Sequence, residues 1–293
     1  MKIFITGING FVGKELSSCL QNKGHDVYGC DINGNKKNIY NIDITDLKSV
    51  EKILLKVNPH VIFHLAAISF VDYKNPEKLF QVNVAGTVNI ITSLLKLKTL
   101  PRFILISSSQ VYGFGNNSTE PISESFPISP VNHYGASKAA SEIIASAFNI
   151  ENNIPTTIIR PFNHIGKGQN YQFIVPKLVN AFKRGDSEID LGNTNVIRDF
   201  LDIRDVVNAY IGVMENFKNG EIYNLSSGKS TKILNIIEIL QKLTNHSIKI
   251  KTKESLLRNN EIKSIVGDSS KLQKNINWSP SISLKETLQW MLE

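Results

Sequence analysis

Cysteine is nearly absent from this chain: Cys19 and Cys30 are the only two among 293 residues. Such a pair builds neither a disulfide framework nor a metal set, and it points to a reducing compartment. No apolar stretch approaches the roughly 18 residues needed to cross a bilayer. The chain begins MKIFITG, already a strand and a turn, so no secretory leader is expected and the expected location is cytoplasmic. Histidines 25, 60, 64, 133, 164 and 246 show no metal-ligand spacing with one another or with acids, so no metal is expected. Runs of like charge are missing too, and no aromatic residues interleave with a basic stripe. The net charge of +7, from 33 basic and 26 acidic residues, therefore does not announce a nucleic-acid partner. A lysine-rich solvated surface and attraction for a small phosphorylated anion both stay open.

What is present is a rhythm. The runs KIFIT (2–6), HDVYGCD (25–31), VIFHLAA (61–67), RFILISS (102–108) and PTTIIRP (155–161) read as buried strands. Amphipathic segments separate them. Leu47, Val50, Ile53, Leu54 and Val57 recur at helical spacing, and Asn75–Pro76 is a helix start expected to run to about Lys98. Regular alternation of strand and helix predicts an α/β chain with a doubly wound parallel sheet. After Pro161 the pattern loosens, apart from ILNIIEILQKL (233–243) with one apolar stripe. The expectation is a Rossmann-type domain from 1–160 plus about 195–225. A smaller α/β substrate-binding lobe is expected from about 161–194 plus 226–293.

The first strand runs into GINGFVG, which puts Gly7, Gly10 and Gly13 at the opening of a helix that begins with Phe11 and Val12. Small residues there permit a tight turn and close backbone approach to a pyrophosphate, while the helix N-terminus offers free N–H groups. Asp31 closes the second strand where a carboxylate can accept from ribose hydroxyls. A carboxylate there favours NADH, whereas Lys36 and Lys37 nearby could hold the extra phosphate of NADPH. The coenzyme is expected to be NADPH or NADH.

YGASK places Tyr134 and Lys138 one helical turn apart. A phenol titrates near pH 10, so it relays protons at neutral pH only if its anion is stabilised, and a neighbouring ammonium can do this. TGINGFVG, HLAA, ISSSQVYG, YGASK and RPFN, in this order, resemble the extended short-chain dehydrogenase/reductases that act on nucleotide sugars. The resemblance implies that Ser108 hydrogen-bonds the sugar oxygen at C4, that Tyr134 exchanges its proton, and that Lys138 holds the nicotinamide ribose and acidifies the tyrosine. It further implies cofactor contacts from Asp43, Ile44, Leu65, Ala66, Ala67, Asn83 and Phe162. For Leu65 to Ala67 a plain core role is an equal alternative, and His64 reads as a satisfied core histidine.

Elimination across C5–C6, the chemistry of the related dehydratases, needs an acid and a base over those carbons. Those enzymes carry glutamate two residues after the catalytic hydroxyl, often with aspartate between; this chain has Ser109 and Gln110. An amide abstracts no proton, so simple redox at C4 is expected. RPFNHIGKGQ (160–169), VIRDFLDIRDVVNAY (196–210) and LLRNNEIKSIVGDSSKL (256–272) look most like GDP-4-dehydro-6-deoxy-D-mannose reductases, which make GDP-D-rhamnose. On that resemblance Ser69, Ser108, Ser109, Asn163, Arg198 and Arg258 contact substrate, the arginines taking the diphosphate. Arg204 has the alternative of pairing with Asp202 or Asp205. A nucleotide-sugar 4-epimerase with tightly held NAD is the alternative enzyme, and a non-catalytic dinucleotide sensor the alternative outside enzymology. The family also implies a homodimer through helices near 76–97 and 134–150.

Overall fold

The computed structural model describes residues 1–113, 121–257 and 261–293. Its main sheet has the order Ile222–Leu225, Thr156–Pro161, Arg102–Ile106, Val61–His64, Lys2–Thr6, Asp26–Asp31, Ile39–Asn41, Asn35–Lys36. Every neighbouring pair is parallel except the last. All five strands expected from the apolar runs are present. HLAA leaves the ladder after His64, because the Ala66 N–H turns to Thr6 Oγ1 (3.1 Å).

Alternate residues of the strands feed opposite faces. Ile3, Ile5, Phe63 and Ile104 pack under the helices Phe11–Asn22 and Ile203–Glu215. Phe4, Ile62, Phe103 and Leu105 pack under Leu47–Val57, whose Val50, Ile53, Leu54 and Val57 form the stripe read from the sequence. The chain thus returns to the large sheet through Ile203–Glu215 and Ile222–Leu225. The helix Ser270–Ile276 also sends Leu272 into that core, although its sequence position suggested the smaller lobe.

The helix expected from Asn75 starts as read, with Asn75 Oδ1 accepting from the Lys78 N–H at 2.9 Å. It is interrupted by a π turn, Gln81–Ala85, between Pro76–Phe80 and Gly86–Leu94. The extra residue in that turn carries Asn83, which is turned inward, and such turns gather at functional sites.

The second core is built from short pieces. Thr231–Lys232, Ile197–Arg198 and Ser264–Ile265 form one small sheet, and Glu188–Leu191 pairs with Lys249–Thr252. Helices Ile174–Arg184, Ile233–Thr244 and Leu284–Leu292 enclose Leu178, Phe182, Ile236, Leu240 and Leu288. Asn163–Ile165 pairs with Phe200–Asp202 where the two cores meet. Among the described residues no helix is long and apolar enough to cross a membrane.

Candidate active site

The first strand has Asp26–Asp31 on one side and Val61–His64 on the other. Chain direction across the sheet reverses there, and ligands of open parallel sheets bind in the crevice beyond such a reversal. The glycine loop opens into it. Gly7 sits at φ +71°, and a β-carbon on it would lie 2.9 Å from the Ala66 backbone. Gly10 caps Phe11–Asn22 without a side-chain hydrogen bond, so the N–H groups of Phe11, Val12 and Gly13 are left to a ligand. That donor set suits a pyrophosphate.

Asp31 accepts from the backbone N–H of Asn9 (3.2 Å) and of Asn33 (3.3 Å). Its carboxylate is therefore fixed against the glycine loop, a role for Asn9 that no motif disclosed. Lys36 and Lys37 are exposed beyond it. Asp43 is occupied locally, accepting from the Thr45 N–H and hydroxyl, which hold its carboxyl below the usual carboxylate range. The Ile44 side chain is buried in the core near Gly86. Leu65, Ala66 and Ala67 are partly open at the strand end, and Ser69 is exposed.

Ser108, Tyr134 and Lys138 are brought together at the carboxyl end of the sheet, at 8%, 8% and 5% exposure. Ser108 follows the strand Arg102–Ile106 and caps a short 3-10 turn, Ser109–Tyr112, accepting from the Gln110 N–H at 3.2 Å. Tyr134 and Lys138 lie in the first turns of the helix His133–Asn152. Burial raises the Tyr134 pKa, and its hydrogen bond with Ser108 pulls the other way. Lys138 Nζ donates to the Ile106 carbonyl at 2.8 Å. Burial brings its pKa down to about 8, with Glu142, one turn further on, opposing the fall. Ser108 is thus a group that favours the phenolate, while the Lys138 ammonium, one turn along the same helix, is directed at the Ile106 carbonyl.

A buried chain of hydrogen bonds ties the cofactor crevice to this helix. Thr87 Oγ1 donates to the Asn83 carbonyl (2.6 Å) and so accepts from His64 Nε2 (2.9 Å). His64 Nδ1 then accepts from Thr6 Oγ1 (2.7 Å), which itself accepts from Ala66. One tautomer satisfies every member. Burial, reinforced by the positive Lys138, depresses His64 to about 3, so it is the neutral core histidine read from the sequence. Asn83 clamps both polar groups of Ile68 and reaches Ser137 at 2.9 Å, whose hydroxyl donates to the Tyr134 carbonyl. Asn83 therefore acts here as a brace between loop and helix.

Phe162, expected at the cofactor, has a ring 2% exposed that packs with Tyr112, Ile122, Ala139 and Ile265; Gly267 leaves the space for it, since a β-carbon there would fall 2.5 Å from the ring. Asn163 Nδ2 donates to the Asp199 carbonyl. Arg198 donates to the Ile262 carbonyl at 2.7 Å and stands 3.7 Å from the Glu261 carboxylate. Arg258 lies outside the described residues. Arg204 takes the pairing alternative, forming a two-pronged bridge to Asp202 while stacking over Trp290. Sequence reading missed the bridge between Arg160 and Glu142, both 3% exposed at the side chain, with Arg160 also donating to Tyr112. The signal was available: Glu142 continues the four-residue spacing of Tyr134 and Lys138. No group of acids, histidines or cysteines able to hold a metal occurs among the described residues.

Comparison with known proteins agrees with this geometry. Residues 4–291 match the family described as GDP-mannose 4,6 dehydratase. A GDP-6-deoxy-D-talose 4-dehydrogenase from Aggregatibacter actinomycetemcomitans is 35% identical over 93% of this chain and 90% of its own. A GDP-6-deoxy-D-mannose reductase from Pseudomonas aeruginosa is 29% identical over 99% of this chain and 96% of its own. The solved structure of RMD from that organism, complexed with NADPH, superposes with a TM-score of 0.88 at 29% identity, covering 99% of this chain and 97% of that one. A UDP-glucose 4-epimerase from Thermotoga maritima, solved with UDP-glucose, gives 0.91 at 25% identity over 100% and 97%. The glycine loop, the buried serine–tyrosine–lysine site and a family match from Phe4 to Met291 together place the chain among the GDP-mannose 4,6-dehydratase-like extended short-chain dehydrogenase/reductases, NAD(P)-dependent oxidoreductases of nucleotide-sugar chemistry.

Proposed function

We propose that the protein reduces the C4 ketone of a nucleoside-diphosphate 4-keto-6-deoxyhexose, with GDP-4-dehydro-6-deoxy-D-mannose going to GDP-D-rhamnose. One observation carries the restriction to simple reduction. The position that would need a carboxylate for elimination holds Gln110, and its side-chain oxygen already accepts from Asn132 at 3.0 Å. The names of the reductase and the talose dehydrogenase among its relatives support a GDP-sugar and the C4 position.

A nicotinamide dinucleotide held in the glycine-loop crevice would supply the hydride. Tyr134 gives its phenolic proton to the oxygen at C4 as charge develops there, and the Ser108 hydroxyl donates to the same oxygen. Burial raises the Tyr134 pKa in the resting site but strengthens the hydrogen bonds that both hydroxyls make to a developing anion. Lys138 keeps a positive charge beneath the tyrosine, so the phenolate left behind is stabilised. Arg198, with Arg258, takes the diphosphate; residues 1–160 and about 195–225 hold the dinucleotide, the remainder the sugar nucleotide. Incubation with NADPH and GDP-, UDP- and dTDP-linked 4-keto-6-deoxy sugars tests this. Coenzyme oxidation with the GDP substrate, and a product saturated at C4 by NMR, is the expected result.

The likeness to a UDP-glucose 4-epimerase supports a second reading, a 4-epimerase that retains NAD. Purified protein carrying stoichiometric NAD and interconverting saturated sugars would establish it instead. A homodimer accompanies either reading. Ile143 and Ile150, on the helix His133–Asn152, are 64% and 77% exposed, an apolar cost that a second copy of the helix pair would remove. Sedimentation of wild type against Ile143→Asp/Ile150→Asp tests it.

A further inference from the structure

We propose that Gln110 is a positioning residue that sets the separation between the Ser108 hydroxyl and the Tyr134 phenol, by joining the serine's turn to the first turn of the tyrosine's helix. Resting on the reading that these two hydroxyls serve one carbonyl oxygen, the inference is carried by contacts that all converge on this glutamine. Its backbone N–H donates to Ser108 Oγ at 3.2 Å, fixing where that oxygen points. Its side-chain Oε1 accepts from Asn132 Nδ2 at 3.0 Å. Asn132 is the cap of the helix His133–Asn152, with Oδ1 accepting from the Gly135 N–H at 2.8 Å. One amide therefore links the serine hydroxyl, through a single asparagine, to the helix turn that carries Tyr134.

The backbones are pressed together along the same line. A β-carbon at Gly135 would lie 2.4 Å from the Gln110 carbonyl oxygen, so the glycine after the tyrosine is what lets the helix approach the turn. The Ser129 N–H donates to the Val111 carbonyl at 2.9 Å, docking the segment ahead of the helix onto the same turn. Ser108 and Tyr134 belong to separate elements, a strand end and a helix start, and nothing in either element alone fixes their distance. Gln110 and Asn132 supply that constraint from the side chains.

The test uses four variants of the full-length protein. Gln110→Met keeps the length of the side chain and removes the acceptor. Gln110→Glu keeps an acceptor for Asn132 Nδ2. Asn132→Asp keeps the helix cap, and Gln110 can turn its amide to donate to the new carboxylate. The double variant Gln110→Glu/Asn132→Asp sets two carboxylates against each other. Since a displacement near 1 Å in a reacting pair costs about a hundredfold, Gln110→Met is expected to lose about ten- to a hundredfold in kcat with KM for coenzyme changed less than about twofold. Gln110→Glu and Asn132→Asp should each retain most of kcat, while the double variant loses far more than the product of the single losses.

A second readout does not need turnover. Ultraviolet difference titration against Tyr134→Phe isolates this one phenol, and in Gln110→Met its titration should move to higher pH as the Ser108 hydrogen bond loses alignment. Wild-type kcat and an unmoved titration in Gln110→Met, or a Glu variant no better than the Met variant, would overturn the assignment. Should wild type reduce no 4-keto sugar, the reaction assignment has failed and the titration alone decides the positioning role. If Gln110→Met does not fold, as judged by its melting curve, the comparison of Asn132→Asp with the double variant decides it.

Discussion

The buried floor around Tyr134 and the surroundings of Arg198 handle charge in different ways. At the floor, Lys138, Glu142 and Arg160 are all nearly sealed from solvent, each with an internal partner. Arg198, by contrast, has 14% of its side chain exposed and lies 3.7 Å from the Glu261 carboxylate. The difference follows from what each charge is for. A group that tunes a proton transfer works through a low-dielectric surrounding and must not be screened. Arg198, which we propose takes a diphosphate, has a contact with Glu261 at 3.7 Å that such a ligand would replace.

The sharpest way to break this comparison is at its centre. Tyr134→Phe removes the proposed proton donor and little else, since the ring remains and the phenol's partner is Ser108. Turnover should fall by roughly 10²- to 10⁴-fold, the range for a lost general acid. Coenzyme affinity, followed by fluorescence quenching, should change little. Near-normal turnover would mean that the buried floor is only scaffold. Next in size is Glu142→Ala, which leaves the Arg160 guanidinium buried without its carboxylate, facing the neutral Tyr112 hydroxyl and the Glu124 carbonyl. Removing one member of a sealed ion pair costs about 3–5 kcal/mol, to be read from urea unfolding. A loss under about 1 kcal/mol, the range of surface pairs, would erase the distinction between the two regions.

Legibility in the sequence divides along the same line. Central parallel strands are buried on both faces, so Lys2–Thr6, Val61–His64 and Arg102–Ile106 read directly as apolar runs. Ile39–Asn41, three residues long and only partly covered, shows no such run, and Ile222–Leu225 is an edge strand preceded by polar turns. The meeting of Tyr134 and Lys138 was readable because one helix fixes their spacing. The partner of Gln110 was not, because Asn132 lies 22 residues away and the two meet only when a glycine lets helix and turn touch. The burial of the Phe162 ring was hidden for a related reason: its motif gives its place on the strand end, whereas the space the ring fills depends on Gly267, far along the chain. In the second lobe the strands are two to four residues long, and pairing among distant segments decides them. No local period could announce that.

Arg198→Ala sharpens the comparison from the other side. Losing a charged donor to a diphosphate should raise KM for the sugar nucleotide about 10- to 100-fold, as charge-assisted bonds of about 1.5–3 kcal/mol imply. KM for coenzyme should stay within about twofold, and stability should fall by less than about 1 kcal/mol because the pair with Glu261 is partly solvated. Equal effects on both substrates would move this arginine out of the diphosphate site.

The smallest effect is also the one with a sign that can go wrong. Burial lowers Lys138 to about 8, so its ammonium is the prevalent form below that pH and is lost above it. If the charge supports Tyr134, kcat/KM holds its value up to about pH 8 and then falls, about tenfold by one unit beyond a single titration. Stability should move in the opposite direction. A lysine whose folded pKa is depressed binds fewer protons folded than unfolded between about 8 and its ordinary 10.5, so the fold gains stability as pH rises through that window. The penalty of the buried charge is complete below pH 8 and fades above it. Lys138→Met removes the titrating group, so the stability difference between wild type and variant should shift in favour of wild type as pH rises from 7 to about 10. Activity falling while this difference moves toward wild type is the signature of a charge kept for chemistry at the expense of the fold. If both fall together above pH 8, Lys138 is holding the structure and not the proton transfer.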